Sequence, residues 1–207
     1  MERRDAIKSI GLGSAALFTS SLFLGTLQSC SSAPTVNWIP VFLTPEEAAQ
    51  LEKVCEAIMP KDDLPGAIDA GVPAHIDETL KVLREAEESG HIRKGMAAFV
   101  KNFNATQDVS FNKATTPQLT DYINGMFKGF EENPDKMEEM WKTMRAEGEK
   151  PEEVLEVFFI NNITDATTSS YYTSELVGET VMRYDPIPVK YEGCIPYEKG
   201  QKAWSSV

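Results

Sequence analysis

The sequence predicts an all-α protein, a single domain of six or seven helices that ends in an extended, Pro- and Tyr-rich segment. Three observations carry this. Apolar residues recur at spacings of three and four from Leu51 to Ile163, and no stretch alternates polar with apolar at period two. Prolines set beside Thr, Asn or Glu punctuate that pattern as helix starts do. The composition, 42% hydrophobic and 25% charged over 207 residues, suits a chain that builds one ordinary core. The charge balance excludes a function class as well. With 20 Lys and Arg against 32 Asp and Glu, net −12, binding to nucleic acid or to an anionic membrane face is electrostatically opposed.

The first element is an address, residues 1–29. Arg3, Arg4 and Lys8 stand against Glu2 and Asp5, a net +1, which leaves 17 basic and 30 acidic groups, net −13, for residues 30–207. After Lys8 no charged residue occurs until Glu46. The run over residues 10–27 is apolar but diluted by Gly11, Gly13, Ser14, Ser20, Ser21 and Gly25. It is near the length of a membrane span yet poor in Leu, Ile and Val, which favours a removed export signal over a permanent helix. Arg3 and Arg4 followed by Ile7 and Lys8 resemble a twin-arginine signal, the route for folded cargo. Leu27, Gln28, Ser29 and Cys30 resemble a lipobox, in which Cys30 would be acylated and become the new N-terminus. Residues 30–43 then form a neutral tether, and Ser31, where an Asp could stand, suits an outer-membrane destination.

The body follows over residues 44–207. Thr44, Pro45 and Glu47 make an N-cap, a first-turn proline and the third residue of a capping box. Leu51, Val54, Cys55 and Ile58 continue the first helix to Pro60, and Cys55 on the apolar stripe reads as a buried, inert thiol. Residues 61–71 are a loop punctuated by Pro65, Gly66 and Gly71; its Asp62 and Asp63 read as turn and cap residues before they read as a cation site. Pro73 opens a second helix with Ile76, Leu80 and Leu83, which Gly90 is expected to break. A third carries Ile92, Met96, Phe99, Val100 and Phe103, and residues 104–116 read as a polar loop. Further helices start at Thr116 and Pro117 (Leu119, Ile123, Phe127, Phe130), at Asn133 and Pro134 (Met137, Met140, Trp141, Met144) and at Pro151 (Val154, Leu155, Phe158, Phe159, Ile163). Residues 133–150 also have the look of an insertion. The Met and Phe stripes, at helical spacing, read as core and not as a cofactor box.

The last third differs. Residues 167–174 are polar and aromatic, with a short helix expected over 175–182. Beyond Arg183, the segment with Tyr184, Pro186, Pro188, Tyr191, Gly193, Cys194, Pro196 and Tyr197 holds too much proline for a helix. Such a stiff, amphipathic strip loses little entropy on docking, so it serves either a partner surface or its own domain. Cys55 and Cys194 leave three outcomes open: a pair with each other, a bond to a partner chain, or two free thiols.

Chemistry-bearing patterns are absent from the sequence. It holds no Gly-x-Gly-x-x-Gly, P-loop, Gly-x-Ser-x-Gly, His-Glu-x-x-His or Cys-x-x-Cys-His pattern. Glu46 and Glu47, Glu87 and Glu88, and Glu138 and Glu139 fall on exposed faces or first turns, and His75 and His91 at helix starts. No catalytic, cofactor-binding or metal site is assigned to this chain. Two rival readings remain: a cation-dependent enzyme using Asp62, Asp63 and His75, and a free-standing periplasmic lipoprotein that binds carbohydrate through Tyr171, Tyr172 and Trp204.

The twin-arginine leader, the Leu43 to Glu47 start, the Met59, Pro60, Asp63, Pro65, Gly66 and Gly71 loop, and the Arg183, Tyr184, Pro186, Pro188, Tyr191, Gly193, Cys194, Pro196 tail together resemble the gluconate 2-dehydrogenase subunit 3 family. The resemblance implies a small, non-catalytic subunit of a periplasmic, membrane-associated flavoprotein dehydrogenase. It implies FAD in a large partner subunit that oxidises a sugar or sugar acid, and often a cytochrome c subunit that takes the electrons. The small subunit would supply the export signal, assist assembly and hold the complex by its lipid anchor to the periplasmic side of a bacterial membrane. The docking elements expected are Asp63 and Pro65 in the loop and Tyr184, Pro186, Pro188, Tyr191, Cys194, Pro196 and Tyr197 in the tail.

Overall fold

A computed structural model describes residues 36–183, 194, 196 and 198–204. Arg3, Arg4, Cys30, Tyr184, Pro186, Pro188, Tyr191 and Tyr197 lie outside the described residues. Seven α-helices make up the body: α1 (Pro45–Ile58), α2 (Val72–Val82), α3 (Ala86–Thr106), α4 (Thr116–Glu132), α5 (Pro134–Arg145), α6 (Glu152–Tyr172) and α7 (Glu175–Thr180). A short 3₁₀ turn, Phe111–Lys113, joins α3 to α4. Among the described residues there is no strand, so the all-α expectation holds.

Helix α1 starts as its sequence dictates. The Thr44 hydroxyl accepts from the Glu47 amide, and the Glu47 side chain accepts from the Thr44 amide at 2.8 Å. A second capping box, Thr115 with Gln118, opens α4 and was not read from the sequence. Leu51, Val54 and Cys55 of α1, Ile76 and Leu80 of α2, Phe99 and Phe103 of α3, Leu119 and Ile123 of α4, and Phe159, Ile160 and Ile163 of α6 form one core. Helix α6 runs through it, packing on α1, α2, α3, α5 and α7.

The crossing of α3 over α6 is close because Gly95 has no side chain. A Cβ there would lie 2.2 Å from the Leu155 carbonyl oxygen and 2.7 Å from the Phe159 Cβ. The polar half of α6 remains helical because it disposes of its own polar groups. Asn161 and Asn162 donate to the carbonyls four residues back at 3.0 and 2.9 Å, and Thr168 does the same to Thr164 at 2.8 Å. Thr167, wholly buried, turns its hydroxyl to the Cys55 sulfur at 3.4 Å.

The structure departs from the sequence reading at four boundaries. The break between α2 and α3 falls at residues 83–85, not at Gly90, which lies inside α3. The cause is Ser89, whose hydroxyl donates to the Leu80 carbonyl at 2.6 Å and satisfies an end group of α2. Leu83, expected in the core, is therefore exposed. Residues 104–116 are not simply a polar loop, because Phe111 is buried and Lys53 holds the carbonyls of Phe111, Asn112 and Ala114 at 3.1, 2.8 and 2.9 Å. Helix α6 continues to Tyr172, through most of the run expected to be irregular, and α7 is only six residues long. Helix α5 buries none of its residues fully; Met137, Met140, Trp141 and Met144 are half-buried.

Candidate functional site

The 60–71 loop is built to be stiff. Ala67 N donates to the Met59 carbonyl at 2.8 Å, closing the loop on the end of α1. The Glu56 carboxylate accepts from Lys61 N at 2.8 Å and Ile68 N at 3.4 Å. Gly66 is required in this bend, since a Cβ would meet Lys61 N at 2.7 Å and Glu56 Oε1 at 2.9 Å. Asp62 Oδ1 accepts from Leu64 N at 2.7 Å, and Asp69 accepts from Gly66 N at 3.1 Å and pairs with Lys61 at 3.0 Å. The hydrogen bonds from Lys61 and Gly66 hold the Asp69 carboxyl below its ordinary value. Asp62 thus caps its own turn, as the sequence reading preferred, and Asp63 is exposed beside it.

Tyr171, near the end of α6, reaches this loop. Its hydroxyl donates to the Pro65 carbonyl at 2.7 Å, and its ring stands edge-on to Tyr172 at 5.3 Å between centroids. Burial pushes the Tyr171 phenol up, with Tyr172, Asp62 and Asp69 adding to the shift. After α6 the chain turns at Ser174, whose hydroxyl caps α7. Val177 of α7 is buried in the core and Leu176 faces outward.

Beyond α7, the chain is pinned to its own C-terminal stretch. Arg183 N donates to the Ala203 carbonyl at 2.7 Å, and Arg183 pairs with Trp204 in an isolated parallel bridge. The Arg183 guanidinium lies 4.1 Å from the Trp204 ring centroid, within cation–π range. Lys202 Nζ donates to the Thr180 carbonyl at 2.5 Å. Both ends of the Pro- and Tyr-rich segment are therefore held beside α7, while Cys194 and Pro196 are exposed.

These contacts bear on the rival readings. Tyr171 is buried and engaged by Pro65, which takes it out of the three proposed sugar-stacking rings, while Trp204 carries Arg183 over its ring and stays 43% exposed. His75 is exposed on α2, and no three His, Cys, Asp or Glu side chains gather to hold a metal among the described residues. Cys55 is buried and Cys194 exposed, with no bond between them. Burial pushes the Cys55 thiol up to about 12, which leaves it inert at neutral pH.

Two polar features escaped the sequence reading. Asp77 is fully buried on α2 and accepts from Val41 N at 2.6 Å, Leu43 N at 2.8 Å and Phe42 N at 3.3 Å. With the Trp38 indole donating to Glu52 at 2.8 Å, it clamps the second half of the expected 30–43 tether onto the body. Glu156, nearly buried, accepts from Asn102 at 3.1 Å at the edge of a cleft of about 600 Å³ between α3, α4, α5 and α6. Its only sequence signal was a carboxylate interrupting the apolar run from Val154 to Ile160.

The fold and these surfaces define an all-α single-domain protein with a clamped loop at residues 60–71 and an Arg183–Trp204 contact beside α7. A protein-family model described as gluconate 2-dehydrogenase subunit 3 matches residues 45–189, and the chain belongs to that family. The match spans every helix of the body and reaches into the Pro- and Tyr-rich segment. No curated protein and no solved structure matches the chain.

Proposed function

We propose that the chain is a non-catalytic accessory subunit of a membrane-associated, FAD-dependent dehydrogenase of sugars or sugar acids. It binds the large flavoprotein, accompanies it through the twin-arginine route in folded form, and holds it on the periplasmic side through a lipid on Cys30. The flavin resides in the large subunit, and a cytochrome c subunit is the natural electron acceptor of such an assembly. Family membership carries this reading. The bond from Tyr171 to Pro65 agrees with it, since it fixes the loop that carries Asp63 and Pro65 against the end of α6 as a stiff, exposed element.

The escort role is tested by replacing Arg3 and Arg4 with lysine in the native host. Dehydrogenase activity should then remain in the cytoplasm, because the folded partner has lost its export signal. Normal periplasmic activity in that variant would dispose of the role.

A further inference from the structure

We propose that the cleft between α3, α4, α5 and α6 binds a small organic cation, an ammonium group on an apolar body, and that Glu156 receives the charge. The cleft, about 600 Å³, has the size of a small-molecule site. Glu156 stands at its edge and is 7% exposed. A carboxylate so buried ordinarily has a cation or a metal beside it. Glu156 has only neutral donors: the Asn102 amide reaches both of its oxygens at 3.1 Å, and the Tyr122 hydroxyl donates to it as well. Among the described residues no Lys or Arg forms an ion pair with it. Burial holds its carboxyl above the ordinary value, so the ionised form lacks the support that a bound cation would give.

The other charges of the cleft leave that place open. Lys101 is taken by Glu152 at 2.6 Å, and Lys136 and Glu153 are both exposed and opposite in sign. Lys101 and Lys136 thus stand against Glu152, Glu153 and Glu156, and the carboxylate in excess is the buried one. A metal ion is a poorer candidate, since no three His, Cys, Asp or Glu side chains gather among the described residues. The walls suit an apolar body. Phe130, Met137 and Met140, on stripes that read as core, are half-buried and line the cleft with Met126. Thioether side chains adapt to the shape of what they touch. Helix α4 also turns Gly125 and Gly129 to the cleft, where a Cβ at either would meet nothing within 4 Å. Glycine inside a helix is destabilising relative to alanine, so packing does not account for these two; what they do is keep the cleft open.

The test titrates hexylammonium into the purified chain by calorimetry, with hexanol and hexanoate as its neutral and anionic counterparts. Hexylammonium should bind about tenfold or more tighter than hexanol, and hexanoate more weakly than either. Glu156→Gln should keep the fold, with a melting temperature no lower than wild type, and lose the preference for ammonium over alcohol. Gly129→Leu should raise the melting temperature, because leucine is the better helix former and enters open space, yet weaken hexylammonium about tenfold by filling the cleft. Glu179→Gln, exposed on α7, should bind as wild type. An ammonium preference that survives Glu156→Gln, or a hexylammonium affinity untouched by Gly129→Leu, would overturn the site. Nα-acetyl-lysine amide carries the same ammonium on a peptide backbone and should bind more weakly than hexylammonium; tighter binding would assign the cleft to a lysine of another chain and overturn the small-molecule reading. None of these outcomes bears on the accessory-subunit role, which co-purification with a flavoprotein tests separately.

Discussion

Replacing Gly95 by alanine should destabilise the protein, although alanine is the better helix former. The added Cβ would meet the Leu155 carbonyl oxygen at 2.2 Å and the Phe159 Cβ at 2.7 Å. Ordinary carbon–oxygen contacts are no closer than about 3.3 Å and carbon–carbon contacts about 3.5 Å. Helices α3 and α6 would therefore have to part by about 1 Å, and the obstacle is backbone, which no rotamer change can clear. Overpacking of this kind costs about 3 kcal/mol at the upper end of its usual range. Helix propensity returns about 1 kcal/mol. The net loss, about 2 kcal/mol, should lower the melting temperature by roughly 4–8 °C and the urea midpoint by about 1 M. Gly125→Ala is the control, since a Cβ there meets nothing within 4 Å. It should stabilise by about 0.5–1 kcal/mol. If Gly95→Ala stabilised the protein as Gly125→Ala does, the close crossing would be refuted.

Other consequences follow from particular side chains. Asp77→Ala strips the acceptor from the amides of residues 41–43, and should cost about 3 kcal/mol and open residues 36–43 to limited proteolysis while the body resists. Native protein lacking Cys30 should react with a thiol reagent at Cys194 alone, with Cys55 labelled only after denaturation; native labelling of Cys55 would contradict its burial. Burial holds the Glu156 carboxyl above its ordinary 4.5, with hydrogen bonds from Asn102 and Tyr122 opposing and Glu153 adding to the rise. A carboxyl raised in the folded state costs nothing below its unfolded value and costs progressively more as pH climbs through the folded one. Glu156→Gln should thus match wild type at acid pH and gain on it as pH rises above 4.5, in denaturation series followed by circular dichroism.

Much of this fold is written locally. The Thr44 to Glu47 box, the stripes ending at Ile58 and Phe103, and the proline starts at residues 117, 134 and 151 each concern neighbours within two turns of helix, and all appear as read. What was not legible depends on partners distant in sequence. Ser89 ends α2 by reaching back nine residues, and Phe111 joins the core against Phe99 and Phe103 while Lys53 of α1 holds its carbonyl. Gly95 looks like a helix weakness until Leu155 is placed against it. The candidate site divides in the same way. The stiffness of the loop was visible in Pro65 and Gly66, but its alliance with Tyr171 joins residues 106 positions apart. The Arg183–Trp204 clasp brings together an arginine and a tryptophan that no local pattern pairs.

The central claim is that this chain works by holding a flavoprotein. Its most direct test is purification of the tagged chain from solubilised membranes, with flavin absorbance and dehydrogenase activity followed across the elution. Flavin and activity should elute with the tag, and both should leave it when residues 183–207 are deleted. A chain that elutes alone, while the host's flavin-linked dehydrogenase activity stays elsewhere, would contradict the account, as would a chain that oxidises a sugar without a partner.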